Sequence, residues 1–199
     1  MSREAVLAAA KQHFAAHGYD KATLRAIARD AQVDPSMVLY LVGLGPEQVQ
    51  HHRRVDLFRE SLRLLIDPAQ LVAAMTAAEG DIGSRLVRRY LQIWESPETA
   101  DSMVAMLQSA TSNPDANEAL RSFMQSYVLT AVSGVIGGDA QARLRAMLAA
   151  TNLLGTALLR YVMKVSPLAD LPAEDIVNLV GPTVTRYLTA SSAELGLPE

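Results

Sequence analysis

No cysteine occurs in the 199 residues. Disulfides and thiolate chemistry are therefore excluded, and the composition suits a reducing compartment, so a cytoplasmic location is expected. Strand-like alternation is nearly absent and aromatics make up only 5% of the chain, whereas 50% is hydrophobic and rich in Ala and Leu. That balance predicts an all-α protein. No apolar run approaches a membrane span, and the chain opens on charged residues and a helix rather than a signal peptide, so no membrane partner is expected. Internal repeats and low-complexity tracts are missing too. So are a nucleophile elbow, a Gly-rich phosphate loop and a His/Asp/Glu metal spacing. No catalytic residue, metal or cofactor is expected. His13 and His17 stand one helical turn apart but have no acidic or thiol neighbour in sequence to complete a metal site. Asp56 and Glu60 share a helix face with Arg59 and Arg63 and read as i,i+4 surface pairing.

The length allows one or two domains and ample core. The net charge of −3 is unevenly spread. Residues 1–65 hold nine Lys/Arg against seven Asp/Glu, and residues 66–199 hold nine against fourteen. A mildly basic end joined to an acidic body permits contact with nucleic acid at that end.

The most informative stretch is Thr23–Tyr40. Thr23 is a good N-cap, and Leu24, Ile27, Ala28 and Ala31 fall on one face at i, i+3, i+4, i+7. Gln32-Val33 breaks that helix, with Val33 able to plug the corner. Asp34 is expected to cap a second helix with Pro35 at its first position. Val38, Leu41 and Val42 then point back at the first helix, leaving Ser36, Met37, Leu39 and Tyr40 facing out. Two short helices with an apolar corner form a helix-turn-helix, whose second helix can enter a major groove. Ahead of it, a helix from about Ser2 to His17 carries Val6, Ala9, Ala10, His13, Phe14 and His17 on one face, and Gly18 is a natural stop.

Residues 3–40 resemble the N-terminal DNA-binding domain of TetR-family transcriptional regulators. The resemblance rests on Val6-Leu7-Ala8-Ala9-Ala10 with His13-Phe14, on Gly18-Tyr19-Asp20-Lys21-Ala22-Thr23, and on Ile27-Ala28, Ala31, Val33 and Tyr40. It implies a three-helix helix-turn-helix domain over 1–45, a linking segment and helix over 46–66, and a helical ligand-binding and dimerisation bundle over 67–199. It also implies double-stranded operator DNA and a small-molecule effector as partners, the latter unidentified. For DNA contact, Thr23 and Arg25 are placed at phosphates, Ser36, Met37, Leu39 and Tyr40 at or near base edges, and Pro35 is counted with the contact residues. Met37 and Leu39 could touch thymine methyls, while Ser36 and Tyr40 could hydrogen-bond.

After Tyr40 the chain departs from the family pattern. Leu44-Gly45 stands where a small polar residue and a phosphate-gripping Lys are expected, and Asp56-Leu57-Phe58-Arg59 arrives about nine residues late. The 44–55 segment either lengthens the linking helix from Pro46, with Val49, Val55 and Phe58 extending a stripe to Leu62, Leu65 and Ile66, or forms a flexible insert. Arg53 and Arg54 could replace the missing Lys at a phosphate or simply form a solvated face. An insert that displaces the second helix would leave a dimeric small-molecule-binding protein with impaired DNA binding. Gln32 stands where the family often has Gly, so a left-handed corner there costs up to about 1 kcal/mol.

Helices are predicted over about 68–78, 82–95, 97–112, 114–136, 139–165 and 172–193, punctuated by Gly80, Ser96-Pro97, Asn113-Pro114, Gly137-Gly138 and Ser166-Pro167. Leu86, Tyr90 and Trp94, with Met103, Met106 and Leu107 and with Phe123, Met124 and Tyr127, could line an apolar pocket or form ordinary core. Asn152, Thr156 and Gln108 are polar positions that could orient a ligand. Leu144, Met147, Leu148, Thr151, Leu154, Gly155, Leu158 and Leu159 form one broad stripe, and Ile176, Leu179, Val180, Val184, Tyr187 and Leu188 another. Such breadth suggests a second covered surface, and the family places a homodimer interface on its two C-terminal helices.

Overall fold

Capping residues write the borders of most elements. The computed structural model describes residues 3–42, 50–137 and 140–198, and for Leu39, Ala140 and residues 50–53 the backbone alone. All regular structure among them is helical. Helix α1 (Arg3–Lys21) carries Gly18 at φ 70° and ψ 175°, a left-handed break that only glycine adopts without strain. The helix predicted to stop there does so, but one further turn follows to Lys21. Thr23 then caps α2 (Leu24–Asp30), its hydroxyl accepting from the Ala26 amide at 3.2 Å. α3 spans Met37–Leu41 and α4 Gln50–Leu65. His51–Arg54 therefore lie within the α4 helix, whereas residues 43–49, which include the first half of the segment suspected of being an insert, lie outside the described residues.

Asp67, with Pro68 at the first helical position, starts α5 (Pro68–Thr76), and Asp81 starts α6 (Ile82–Glu95) by accepting from the Ser84 amide at 2.8 Å. α7 (Ala100–Ser112) begins three residues later than predicted. Asn113 accepts from the amides of Asp115 (2.9 Å) and Ala116 (3.1 Å) and opens α8 (Pro114–Phe123). Two predicted long helices are interrupted. A π-helical turn, Met124–Val128, separates α8 from α9 (Leu129–Val135), and a second, Leu158–Val162, follows α10 (Ala140–Ala157). Each wide turn advances the phase of the side chains beyond it. α11 (Ala173–Thr189) ends before a short α12 (Ser192–Leu195), which Ser191 and Glu194 close with a capping box.

The chain forms two compact units. The first comprises residues 1–66 and 97–124, the second residues 67–96 and 125–199. In the first, α1 packs on α4 and α7, and α8 packs on both α4 and α7. Its centre is aromatic: the ring centroids of Phe14 and Phe58 are 4.8 Å apart, and those of Tyr19 and Phe58 5.2 Å, both edge to face. Asp56 and Glu60 correct a sequence expectation. They are buried rather than on the surface, and their pairs are i,i+3: Asp56 with Arg59 at 2.9 Å, and Glu60 with Arg63 at 3.4 Å. Glu60 also binds Arg3 at 2.8 Å, tying the start of α1 to α4.

In the second unit α11 crosses α6 and also packs on α10, while α5 lies against α6 and α9. The α6–α11 crossing is close because Gly83 and Gly181 meet there; a Cβ on Gly83 would stand 2.3 Å from the Thr185 amide nitrogen and 2.4 Å from the Gly181 carbonyl oxygen. No helix among the described residues is long and apolar enough to cross a membrane.

Candidate DNA-binding corner and effector site

The turn between α2 and α3 is built from local hydrogen bonds. Ala31 is buried, Gln32 takes a left-handed φ of 55°, and the Val33 amide reaches back to the Ala28 carbonyl at 2.9 Å. The left-handed corner that sequence only allowed for is thus real, and a non-glycine residue occupies it. Asp34 does not act as the cap of a helix starting at Pro35. Its Oδ1 instead accepts from the Ser36 amide (2.8 Å) and hydroxyl (2.5 Å), and its carbonyl accepts from the Met37 amide at 2.9 Å. The Asp side chain competes for these first amides, so the helix begins two residues later, at Met37. The same Ser36 bonds, hydroxyl first and then amide, hold the Asp34 carboxyl below its usual range.

Val38 and Val42 are buried, which aims the other face of α3 outward. Met37 is 41% and Tyr40 71% exposed; Pro35 and Ser36 are exposed with them, as are Thr23 and Arg25. The side chains of Leu39 and Arg53 lie outside the described ones. Arg54 is turned towards the end of α1: its guanidinium sits 4.4 Å from the Tyr19 ring centroid and donates to the Asp20 carbonyl at 3.4 Å.

A brace that the sequence pattern does not disclose holds the corner to α1. His13, buried in α1, places Nε2 2.7 Å from Asp30 Oδ2 at the end of α2, and Arg29 Nε donates to Asp30 Oδ1 at 2.9 Å. The Arg29 bond first, and the His13 contact second, hold the Asp30 carboxyl below its usual range. A second set ties the α1 break to the α7–α8 corner. The Tyr19 amide donates to Ser109 Oγ at 3.2 Å, and Asn113 Nδ2 donates to Asp20 Oδ1 at 2.6 Å. Among the described residues no group of three or more His, Cys, Asp or Glu gathers where a metal could be held.

The residues expected to line a pocket divide between the two units. Met103, Met106, Leu107, Phe123 and Met124 belong to the first, with Met103 and Phe123 wholly buried in its core. Leu86, Tyr90, Trp94, Tyr127, Asn152 and Thr156 belong to the second. The polar members bond to their own helix: Asn152 Nδ2 donates to the Leu148 carbonyl (3.0 Å) and Thr156 Oγ1 to the Asn152 carbonyl (2.7 Å), while Gln108 is exposed. What sequence missed in the second unit is Tyr161. The π turn Leu158–Val162 brings its ring parallel to Trp94, 5.4 Å between centroids, and its hydroxyl donates to Glu95 Oε1 at 2.8 Å. Arg160 joins the same carboxylate at 3.2 Å. Burial first, and the Glu95 carboxylate second, push the Tyr161 hydroxyl well above its usual range.

Large apolar side chains stand on the outer side of α10 and the π turn after it, whereas α11 exposes one, Leu179, among polar residues, its Ile176, Val184 and Leu188 being buried. Small residues of α10 point inward (Ala142, Ala146, Ala149 and Ala157 are buried), whereas Met147 (41%), Leu154 (46%) and Leu159 (40%) are exposed, as is Leu179 (64%) of α11.

Comparison with known proteins agrees with this architecture. Residues 6–40 match the family model for bacterial regulatory proteins of the tetR family, and residues 80–188 match that for a Tetracyclin repressor-like C-terminal domain. A TetR-family regulator from Streptomyces coelicolor A3 is 31% identical, the match covering 94% of this chain and 93% of that one with a TM-score of 0.59. A chain described as a TetR-family transcriptional regulator from Rhodococcus sp. shares the fold at 15% identity, 94% and 98% coverage and a TM-score of 0.64. So does the multidrug binding protein EbrR complexed with proflavin, at 17% identity, 93% and 98% coverage and a TM-score of 0.57. No curated protein matches the chain. With one family model covering the exposed corner and another more than half of the chain, the chain belongs to the TetR family and is a ligand-responsive, DNA-binding transcriptional regulator.

Proposed function

We propose that the protein is a one-component repressor, acting in the cytoplasm as a homodimer joined through α10 and α11. Its head (residues 1–45) reads a roughly palindromic operator, its linking segment (46–66) carries the connection, and its body (67–199) takes a small apolar effector. The observation that carries the reading is the outward face of α3, with Ser36, Met37 and Tyr40 exposed on a turn braced from behind. Thr23 and Arg25 grip phosphates, the α3 residues meet base edges, and Arg53 and Arg54 add positive charge at the start of α4. A second copy is the natural cover for the α10–α11 face. Large apolar side chains stand outward while alanines fill the inner side, and covering the exposed part of each contributes about 1 kcal/mol. A two-fold dimer presents its α3 helices about one DNA turn apart or a multiple of it.

Effector and operator bind antagonistically, so operator DNA weakens effector binding by the factor by which effector weakens DNA binding. Fluorescence anisotropy on the promoter DNA flanking the protein's own coding region tests the reading across a salt series. Binding should fall linearly in log–log form, with a slope of about −0.9 per phosphate contacted. Undetectable or salt-insensitive binding at micromolar protein would refute it.

A further inference from the structure

The second unit holds a buried donor with no acceptor. Trp94 is 2% exposed, stacked on Tyr161 and edge-on to Tyr90 at 6.1 Å, yet its indole Nε1–H has no hydrogen-bond partner. Tyr90, itself buried, is the neighbouring ring on the same helix. Buried polar groups in folded proteins are nearly always satisfied, and an exception inside a ligand-responsive body points to a ligand atom as the missing acceptor.

The charges around the cluster narrow the chemistry. The Glu95 carboxylate is already committed to the Tyr161 hydroxyl and to Arg160. Arg160 spends its Nη1 donors on the Leu168 (2.8 Å) and Leu171 (2.7 Å) carbonyls. Its Nε lacks an acceptor, but the guanidinium charge is already met by Glu95. Arg85 is likewise held by the carbonyls of Ala74 (2.8 Å) and Met75 (2.6 Å), and Arg145 by those of Ile136 (2.8 Å) and Ala190 (3.1 Å). The cluster therefore presents aromatic rings and one uncommitted neutral donor, the Trp94 indole N–H. It offers neither an uncompensated cation for a carboxylate nor an uncompensated anion for an ammonium, and burying an unpaired charge there would be costly.

We infer that the effector is an uncharged, flat, ring-bearing molecule that seats a carbonyl or ether oxygen on Trp94 Nε1 against the Tyr90–Trp94–Tyr161 cluster. The inference rests on the reading above that the body takes a small effector, and it specifies that effector's class. A cationic dye such as the proflavin of the EbrR complex falls outside it.

Trp94 is the chain's single tryptophan, so ¹⁵N-labelled protein gives one indole signal that reports on this N–H alone. Two matched pairs serve as probes: 9-fluorenone with fluorene, and 2-acetylnaphthalene with 2-ethylnaphthalene. Each pair keeps the flat surface and differs in the carbonyl. The ketones should move the indole proton downfield and bind about tenfold more tightly than their hydrocarbon partners, the worth of one buried hydrogen bond. Trp94→Phe, checked for native circular dichroism, should erase that preference in equilibrium dialysis. Equal affinities within both pairs, a bound ketone that leaves the indole signal in place, proflavin binding more tightly than either ketone, or no binding of any probe would overturn the inference. Operator anisotropy run in parallel separates the two claims. Release of DNA by a ligand that leaves the indole signal unmoved rejects the ligand class and keeps the repressor; absence of operator binding rejects the repressor.

Discussion

Replacing Gly83 by Ala should unfold the second unit at markedly lower temperature, although alanine is the better helix former. Taken alone, the exchange in a helix interior gains up to about 1 kcal/mol. At this crossing the new methyl would stand 2.3 Å from the Thr185 amide nitrogen and 2.4 Å from the Gly181 carbonyl oxygen, both backbone atoms that no rotamer change can move. Relief needs α6 and α11 to separate by about an ångström, which also breaks the 3.0 Å bond from the Gly83 amide to Thr185 Oγ1 and its continuation to Asp81. Overpacking of this kind costs about 1–3 kcal/mol, and the lost hydrogen bond adds about 1. The net loss is about 1–3 kcal/mol, or a fall in Tm of roughly 2–12 °C for a chain of this size. Gly134→Ala is the control, because a Cβ there meets nothing within 4 Å, and its Tm should hold or rise slightly. Thermal melts followed by circular dichroism decide it. A Gly83→Ala protein melting at or above the wild-type temperature would refute the close crossing.

Leu154→Lys puts a charge on the exposed face of α10 without touching the core of its own subunit. If α10 lies in the proposed dimer interface, the variant should give a folded species of 21.5 kDa by light scattering, the wild type should give twice that mass, and operator affinity should fall at least tenfold in the variant. Arg25→Ala should weaken DNA binding about equally on all sequences and reduce the salt slope by about 1, as expected of a phosphate contact. At Asp81 burial pulls the carboxyl upward, but bonds from the Thr185 hydroxyl and from the Ser84 amide and hydroxyl outweigh it and bring the pKa down from 3.8 to about 2. A folded-state pKa below the unfolded one means that its stabilisation is complete above about pH 4 and lost as pH falls towards 2. Urea midpoints between pH 5 and pH 2.5 should accordingly drop further for the wild type than for Asp81→Asn.

Much of the fold was legible because its borders are chemical and local. Gly18 breaks a helix by its left-handed φ, and Thr23, Asp67 and Asn113 each begin one by accepting from an amide within three residues, with Pro68 and Pro114 at the first helical position. The outward face of α3 was legible for the same reason, since the buried Val38 and Val42 fix its phase. The start of α3 was not, because Asp34 can cap a helix or fold onto Ser36, and spacing alone does not choose between them. Asp56 and Glu60 show a different limit. Helical spacing tells which residues are neighbours along a helix, but not that Arg3, far away in sequence, arrives to help bury a carboxylate. Tyr161 was hidden by the π turn, which shifts the phase on which any stripe reading depends, and the partners of Arg160 are carbonyls that leave no trace in side-chain pattern. The pairing of Gly83 with Gly181 is equally silent in sequence until α6 and α11 are seen to cross.

Hydroxyl-radical footprinting of the protein on the DNA flanking its own coding region tests the central claim most directly. Two protected patches should appear on one face of the duplex, centred one helical turn or a multiple of it apart, and both should disappear together in the Met37→Ala/Tyr40→Ala double variant. A single isolated patch, or a footprint that survives loss of those two side chains, would contradict the account.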